Sequence, residues 1–202
     1  MLETALRSFA AGSYRSVTTA EIARAAGVSE PVLYRHFPSK RDLYLACLDE
    51  AWRGLRESWE SAVAATDDPS LWIWAMRGAA LSIKNDVVLP STLWIQALAE
   101  AGDDDVIRDH LRAHMSAVHA FVREVIARAQ AAGGIAHDRD PGAEAWIFLA
   151  GGLLLTVADR LGGLLGEDDL AGIGASRLRW LAGRDRVSRT VESPRLRPRG
   201  HS

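Results

Sequence analysis

The residues best suited to chemistry lie in one short stretch, EPVLYRHF, which begins at Glu30. A helix turns by about 100° per residue, so Leu33 falls on an apolar side of this stretch and Arg35 on the opposite side. Tyr34 and His36 flank Arg35. A guanidinium between a phenol and an imidazole offers the groups that contact base edges and phosphates. The pattern indicates a nucleic-acid-binding face, although the solvated face of an ordinary helix pair would look the same.

Two helices joined by a tight turn should position this face. Thr18 and Glu21 are spaced as a capping box at the start of the first helix. Gly27 can end that helix in a left-handed conformation. Ser29 should cap the second helix, and Pro38 should end it. Helix, glycine-containing turn and helix is the order of the helix-turn-helix motif.

The string TTAEIARAAGVSEPVLYRHFPSKRDLYLACL, with Phe9 and Tyr14 before it, resembles the DNA-binding domain of the TetR (tetracycline repressor-like) family. The combination of GVS with LYRHFPSK is much more specific than a helix-turn-helix alone. The resemblance covers residues 2–50 strongly. Family members usually carry a basic arm before the first helix, whereas this sequence enters the helix at once. Either the arm is absent or it lies upstream of Met1.

The resemblance implies a ligand-responsive repressor that binds a near-palindromic double-stranded operator as a homodimer. It implies phosphate contacts from Thr18, Thr19, Tyr34, His36 and Lys40, with Ser29 beside them. It implies that the groove-facing residues are Glu30, Pro31, Val32 and Arg35.

Composition agrees with a soluble regulator. The chain of 202 residues is 48% apolar and 25% charged, with a net charge of −2, which is ordinary for a globular protein. Residues 1–48 carry six cations against four carboxylates, a net charge of +2.

The single cysteine, Cys47, cannot form an internal disulfide and should pack in the core. We expect a cytoplasmic protein, because no signal peptide is visible and the longest uncharged run, 145–158, is too short to span a bilayer and reads as a buried helix.

Apolar periodicity predicts an all-α fold with three parts. Residues 1–48 form an N-terminal three-helix helix-turn-helix DNA-binding domain, residues 49–183 a larger C-terminal helical ligand-binding and dimerisation domain, and residues 184–202 a disordered basic tail. A helix from Ser39 to about Ala64 should link the two domains mechanically. The resemblance implies a dimer interface on the helices at about 140–165 and 168–182, as a four-helix bundle with the second subunit.

Six of the seven tryptophans lie at or beyond Trp59. Each could be ordinary core, but together they could line an apolar cavity for a small hydrophobic or aromatic effector. The candidate lining residues are Trp59, Trp72, Met76, Trp94, Phe121 and Trp146. The candidate polar groups that orient the effector are Asn85, Gln96 and His114.

Catalytic and metal chemistry have weaker support. His110 and His114 are spaced i, i+4 on a predicted helix with Asp109 nearby, but a metal site needs more ligands, so a polar helix edge is the expectation. No cofactor is expected. The sequence contains no nucleophile elbow or phosphate-binding glycine loop, so an enzyme is not expected; an all-helical enzyme is the weakest alternative. A stronger alternative is a DNA-bound regulator controlled by a protein partner, with tryptophans that fill the core completely.

Overall fold

The computed structural model describes residues 1–82 and 90–184, with side chains in 1–80 and 93–184. The predicted orienting residue Asn85 and the predicted tail beyond Arg184 lie outside the described residues. Within the described ranges the chain is helical and contains no strand, so the predicted all-α class is confirmed. The helices are α1 Leu2–Ala11, α2 Thr19–Ala25, α3 Glu30–His36, α4 Lys40–Ala64, a 3-10 turn Pro69–Leu71, α5 Trp72–Ser82, α6 Pro90–Glu100, α7 Asp105–Ala131, α8 Pro141–Arg160 and α9 Glu167–Leu181.

The ends of the first helices follow local sequence signals. The Thr18 hydroxyl accepts a hydrogen bond from Glu21 N at 3.2 Å and Thr18 N donates to Glu21 Oε2 at 2.8 Å, which confirms the capping box. Gly27 has φ of +69° and ends α2 as predicted. Ser29 was predicted to cap α3, but its side chain forms no capping hydrogen bond. Pro31 removes one N–H that such a cap would accept from, and the N–H of Val32 donates to the Ser29 carbonyl instead.

The helix α4 contributes to two hydrophobic cores. Its first half, including Leu43 and Cys47, packs with α1 to α3 and with residues of α6 and the start of α7. Its second half, including Trp59 and Val63, packs with α5, α7 and α8. Cys47 is fully buried, as expected, and burial raises the pKa of its thiol to about 12. The two ends of one continuous helix are therefore fixed in different parts of the molecule.

The helix α8 is only partly covered by its own chain. Its length and composition would suffice to cross a membrane, but the core helices of soluble proteins pass the same test. Only 28% of its most apolar 18-residue stretch is buried. Ala145 and Phe148 face the core, whereas Trp146 is 50% exposed and Leu154 45% exposed. The sequence-based expectation of a buried helix therefore holds for one face alone.

Ion pairs join the helix-turn-helix to the turn between α6 and α7. Arg15 contacts Glu100 and Asp103, but these pairs are exposed and each contributes little. Arg41 Nη1 lies 3.1 Å from Asp104 Oδ2. Asp104 also caps α7, because its Oδ1 accepts hydrogen bonds from two backbone N–H groups of the first turn. Asp104 thus fixes the start of α7 against the first turn of α4.

We predict that Asp104→Ala lowers the free energy of unfolding by about 0.5–2 kcal/mol, because it removes the cap of α7. Asp104→Asn keeps the acceptor oxygen and should lose less. Burial raises the pKa of Asp104, but the N–H of Ile107 and the Arg41 guanidinium outweigh it and hold that pKa below its ordinary value. The resulting stabilisation exists above the unfolded pKa and is lost as the pH falls through the folded one. Urea unfolding at several pH values measures both effects, and equal losses for the two variants would contradict the capping role.

Candidate nucleic-acid interface and effector cavity

The helix α3 presents the predicted face to solvent. Leu33 is 1% exposed and anchors the helix in the core. Pro31, Arg35 and His36 are exposed, and Tyr34 is 42% exposed. The helical periodicity of the sequence therefore gave the correct orientation of this face, with Arg35 on the side away from the core.

Positive charge is concentrated near this face because other cations of the domain are paired. The paired cations are Arg7, Arg15 and Arg41. The cations that form no ion pair with a described residue are Arg24, Arg35 and Lys40. Lys40 Nζ lies 4.8 Å from the centre of the Tyr14 ring, and burial lowers the pKa of Lys40. The cations that remain free to meet an anion belong to α2, α3 and the first residue of α4.

A hydrogen-bonded trio fixes α3 against α2. The hydroxyl of Thr19 donates to Glu30 Oε1 at 2.5 Å and lies 3.1 Å from the Tyr34 hydroxyl. Thr19 is 8% exposed, which differs from the solvent-facing phosphate contact that the resemblance implied. In this structure Thr19 and Glu30 hold α3 in its orientation against α2, while Thr18 and Ser29 remain exposed beside it.

A cavity of about 160 Å³ lies between α4, α5, α6, α7 and α8. Two of the predicted lining residues, Trp59 and Trp94, are in its wall, together with His114, which was predicted as a polar orienting group. The sequence did not identify the rest of the wall, which includes Trp52, Leu55, Arg77, Met115, Phe148 and Leu149. The wall is mainly apolar and aromatic, as expected of a site for a greasy ligand.

Some predicted aromatic and sulfur side chains belong to the surrounding core. Trp72 donates from Nε1 to the Thr66 carbonyl at 2.8 Å and lies away from the cavity. Met76 is fully buried in the core. Phe121 stacks on Trp59 at 6.0 Å between ring centres but does not line the cavity. These residues support the wall from behind.

Two further predictions fail because the side chains face elsewhere. Trp146 lies on the exposed side of α8, where its ring stacks on His119 at 4.1 Å between centres. Gln96 faces α1, with its Nε2 at 3.5 Å from the Ala10 carbonyl. Residue type suggested a cavity, but the face of each helix decided which side chains reached it.

Arg77 lies between this apolar cavity and a second cavity that Trp74, Glu144 and Gly151 line, and it belongs to the wall of both. Its guanidinium carbon lies 5.3 Å from the centre of the Phe148 ring and 5.8 Å from that of Trp74. A Cβ at Gly151 would lie 2.8 Å from Arg77 Nη2, so the glycine leaves space for the guanidinium. Burial, and secondarily the charge of Arg177, lower the pKa of Arg77. Arg77 forms no hydrogen bond or ion pair with a described residue.

The sequence contains a signal that could have identified Arg77. The stretch LWIWAMRGAALSI is apolar almost throughout, and Arg77 is its one charged residue. A charge in such a helix is costly to bury unless it meets a partner. His114 is the other titratable group whose burial matters here, because burial lowers its pKa to about 4. Its imidazole is therefore neutral at physiological pH.

Known proteins match this chain most clearly at its N-terminal end. Residues 1–47 match the family model described as bacterial regulatory proteins, tetR family. The HTH-type transcriptional activator FasR of Mycolicibacterium smegmatis is 41% identical over 68 residues. That match covers 34% of this chain and 31% of FasR, so the chain spans less than a third of that relative's length.

Solved structures resemble most of the chain. A protein provisionally described as a TetR-family transcriptional regulator from Rhodococcus sp. superposes with a TM-score of 0.77 at 22% identity, over 90% of this chain and 95% of that one. AibR in complex with isovaleryl coenzyme A and operator DNA gives a TM-score of 0.62 at 22% identity, over 89% and 95%. At these identities the likeness concerns the fold alone.

Proposed function

We propose that this chain is a ligand-responsive transcriptional regulator that acts in the cytoplasm, on the basis of the match of residues 1–47 to the tetR family of bacterial regulatory proteins. The observation that carries the proposal is the exposed face of α3 around Arg35, which is held in place by the Thr19–Glu30–Tyr34 trio. The residues 1–48 form the DNA-binding domain and 49–183 the ligand-binding and dimerisation domain. The cavity favours a small-molecule effector over control by a protein partner alone.

In DNA binding, α3 enters the major groove. Arg35 lies at the centre of the exposed face and has no competing partner among the described residues, so its guanidinium can donate two hydrogen bonds to a guanine. Pro31 and Val32 lie beside it and supply apolar contact. Lys40 stands at the start of α4, where a point charge suits a phosphate.

Dimerisation uses the uncovered surface of α8 and α9. Large apolar side chains are exposed along both helices and the turn between them, although such surface is rarely left open in a soluble monomer. A second copy that packs the same surface against it would form a two-fold four-helix bundle. The residues involved are Trp146, Ile147, Leu154, Val157, Leu161, Leu164, Leu170, Ile173 and Leu178.

The effector is an apolar or aromatic molecule with an acidic group. The aromatic wall suits its body, and Arg77 supplies a half-buried cation that forms no ion pair with a described residue. An acidic group within reach of Arg77 would satisfy this charge by a charge-assisted hydrogen bond. The isovaleryl coenzyme A bound to AibR also combines an apolar group with an anionic one. Effector and operator then compete through α4, with a coupling typically of about 1–3 kcal/mol.

We predict that selection from a pool of random duplexes enriches an inverted repeat. Two α3 helices related by a two-fold axis should contact half-sites about one helical turn, roughly 34–36 Å, apart. Mass measurement of the bound protein should give two chains per duplex. Leu154→Glu places charge on the proposed dimer surface and should abolish both dimerisation and enrichment. Enrichment of an asymmetric single site by a monomer would contradict the proposal.

A second prediction separates base reading from phosphate contact. Arg35→Ala should weaken binding to the selected duplex by about 1–3 kcal/mol and relax the sequence preference at one position. Lys40→Ala should weaken binding to all duplexes and reduce the salt slope by about one unit instead. Arg7→Ala removes a cation that is already paired with Glu3 and serves as the control. Fluorescence anisotropy over a salt series measures all three, and identical behaviour of Arg35→Ala and Lys40→Ala would refute the assignment.

A third prediction tests the charge of the effector with 4-phenylbutyrate and its neutral amide as probes. The acid should bind about 10–100-fold more tightly, because a hydrogen bond to a charged group contributes about 1.5–3 kcal/mol. Quenching of the cavity tryptophans reports binding. Arg77→Met should remove the preference for the acid and leave the amide unaffected. Arg128→Met is the matched control, since Arg128 lies over the ring of Trp72 and away from the cavity; a preference that persists in Arg77→Met would rule out this role.

A further inference from the structure

Three metal-binding side chains converge where α4 passes α7. His110 and His114 are four residues apart and therefore lie on one face of α7. Asp49 comes from α4, and its Oδ1 lies 2.9 Å from His110 Nε2. One potential ligand atom from each of the three residues lies within 4.8 Å of the other two. The cluster therefore joins two helices that are far apart in the sequence.

The histidine nitrogens lack other partners. His114 Nδ1 and His110 Nε2 are buried atoms without a hydrogen bond to any described residue. The approach of His110 to Asp49 is close, but it is not aligned as a hydrogen bond. Buried polar atoms are nearly always satisfied, and two such nitrogens beside a carboxylate are a donor set that an electron-pair acceptor would satisfy. A cation meets that requirement.

The carboxylate in this cluster is not the one that the sequence suggested. Asp109 is exposed and binds Arg112 at 3.3 Å. The expectation of a plain polar helix edge depended on the small number of ligands near the histidine pair. Asp49 provides the third ligand from another helix, and a sequence pattern cannot show that approach.

We propose that Asp49, His110 and His114 bind a divalent transition-metal ion, with Zn²⁺ as the best match. Two imidazole nitrogens and one carboxylate oxygen are a borderline donor set, and three protein ligands leave a coordination position for water or another ligand. Zinc bonds of about 2.0–2.2 Å require the separations among the three ligand atoms to adjust. The Asp49 side chain, which is 63% exposed, has room to rotate for this adjustment.

A metal at this point would connect the two halves of the molecule. Asp49 directly follows the proposed DNA-binding domain in α4, and His114 also lines the cavity. The ion would hold α4 against α7 between the reading domain and the effector. Metal binding itself does not depend on the proposed function, whereas an effect on DNA affinity would.

Titration of the full chain with Co²⁺ and Zn²⁺ tests the proposal. Co²⁺ should produce visible absorption bands with imidazole nitrogen ligands, saturate at one ion per chain and be displaced by Zn²⁺. Saturating Zn²⁺ should raise the unfolding temperature, since a ligand that binds only the folded state stabilises it. Loss of a residue that only hydrogen-bonds a metal ligand typically lowers metal affinity about 10–100-fold. His110→Ala and His114→Ala each remove a ligand and should lower Zn²⁺ affinity by more than that.

Two variants keep this test decisive. Asp49→Asn changes an exposed side chain, so the fold should survive while Zn²⁺ affinity falls and the thermal shift disappears. His137→Ala removes an exposed histidine of the turn between α7 and α8 and should change neither. Binding that is unaltered in both Asp49→Asn and His114→Ala, or equally weakened in His137→Ala, would show adventitious metal binding elsewhere and overturn the proposal.

Discussion

The helices α4 and α7 both run through the two hydrophobic cores and contact each other along the way. Arg41 pairs with Asp104 near one end of α4, and the Trp59 ring stacks on Phe121 near the other end. The partner of each α4 residue lies about 62 positions later in the chain, and Asp49 with His110 keeps nearly the same offset. A constant offset means that the two helices run in the same direction along a continuous seam. Neither core can rearrange without moving this seam.

The same packing leaves an apolar surface of the single chain uncovered. The helix α7 packs along one face of α8, with α6 and side chains of α4 and α5 beside it, and the other face stays open. Exposed leucines of α9 add to this open surface. Full burial of an apolar side chain typically contributes about 1.5–3 kcal/mol, so this surface represents a large unused driving force. Association through α8 and α9 would bury it without disturbing the seam. In the proposed dimer, association and a movement of α4 would therefore involve different helices.

The features that the sequence predicted are those that depend on neighbouring residues. The Thr18–Glu21 capping box and the orientation of α3 follow from spacing within one or two turns, and both are found as predicted. The cavity was predicted in kind but only partly in its residues: Trp59 reaches it, whereas Trp146 points to solvent. The sequence gives no sign that Asp49 approaches the histidine pair of α7, because this approach depends on how two distant helices pack. Helix periodicity specifies an apolar side, but the tertiary fold decides what that side meets.

In the proposed regulator, the geometry of the seam would determine how a small movement at the cavity reaches the DNA. Asp49 lies ten residues before Trp59 and nine after Lys40, which corresponds to arms of about 15 Å and 14 Å at 1.5 Å per residue. If α4 tilts as a rigid rod about Asp49, a displacement of Trp59 by an effector moves Lys40 by a similar distance in the opposite direction. In a two-fold dimer the change in separation of the reading helices is up to twice that distance. Base contacts require hydrogen-bond distances within a few tenths of an ångström of about 2.9 Å. A displacement of α3 larger than this tolerance would therefore leave a dimer that fits one half-site but not the other.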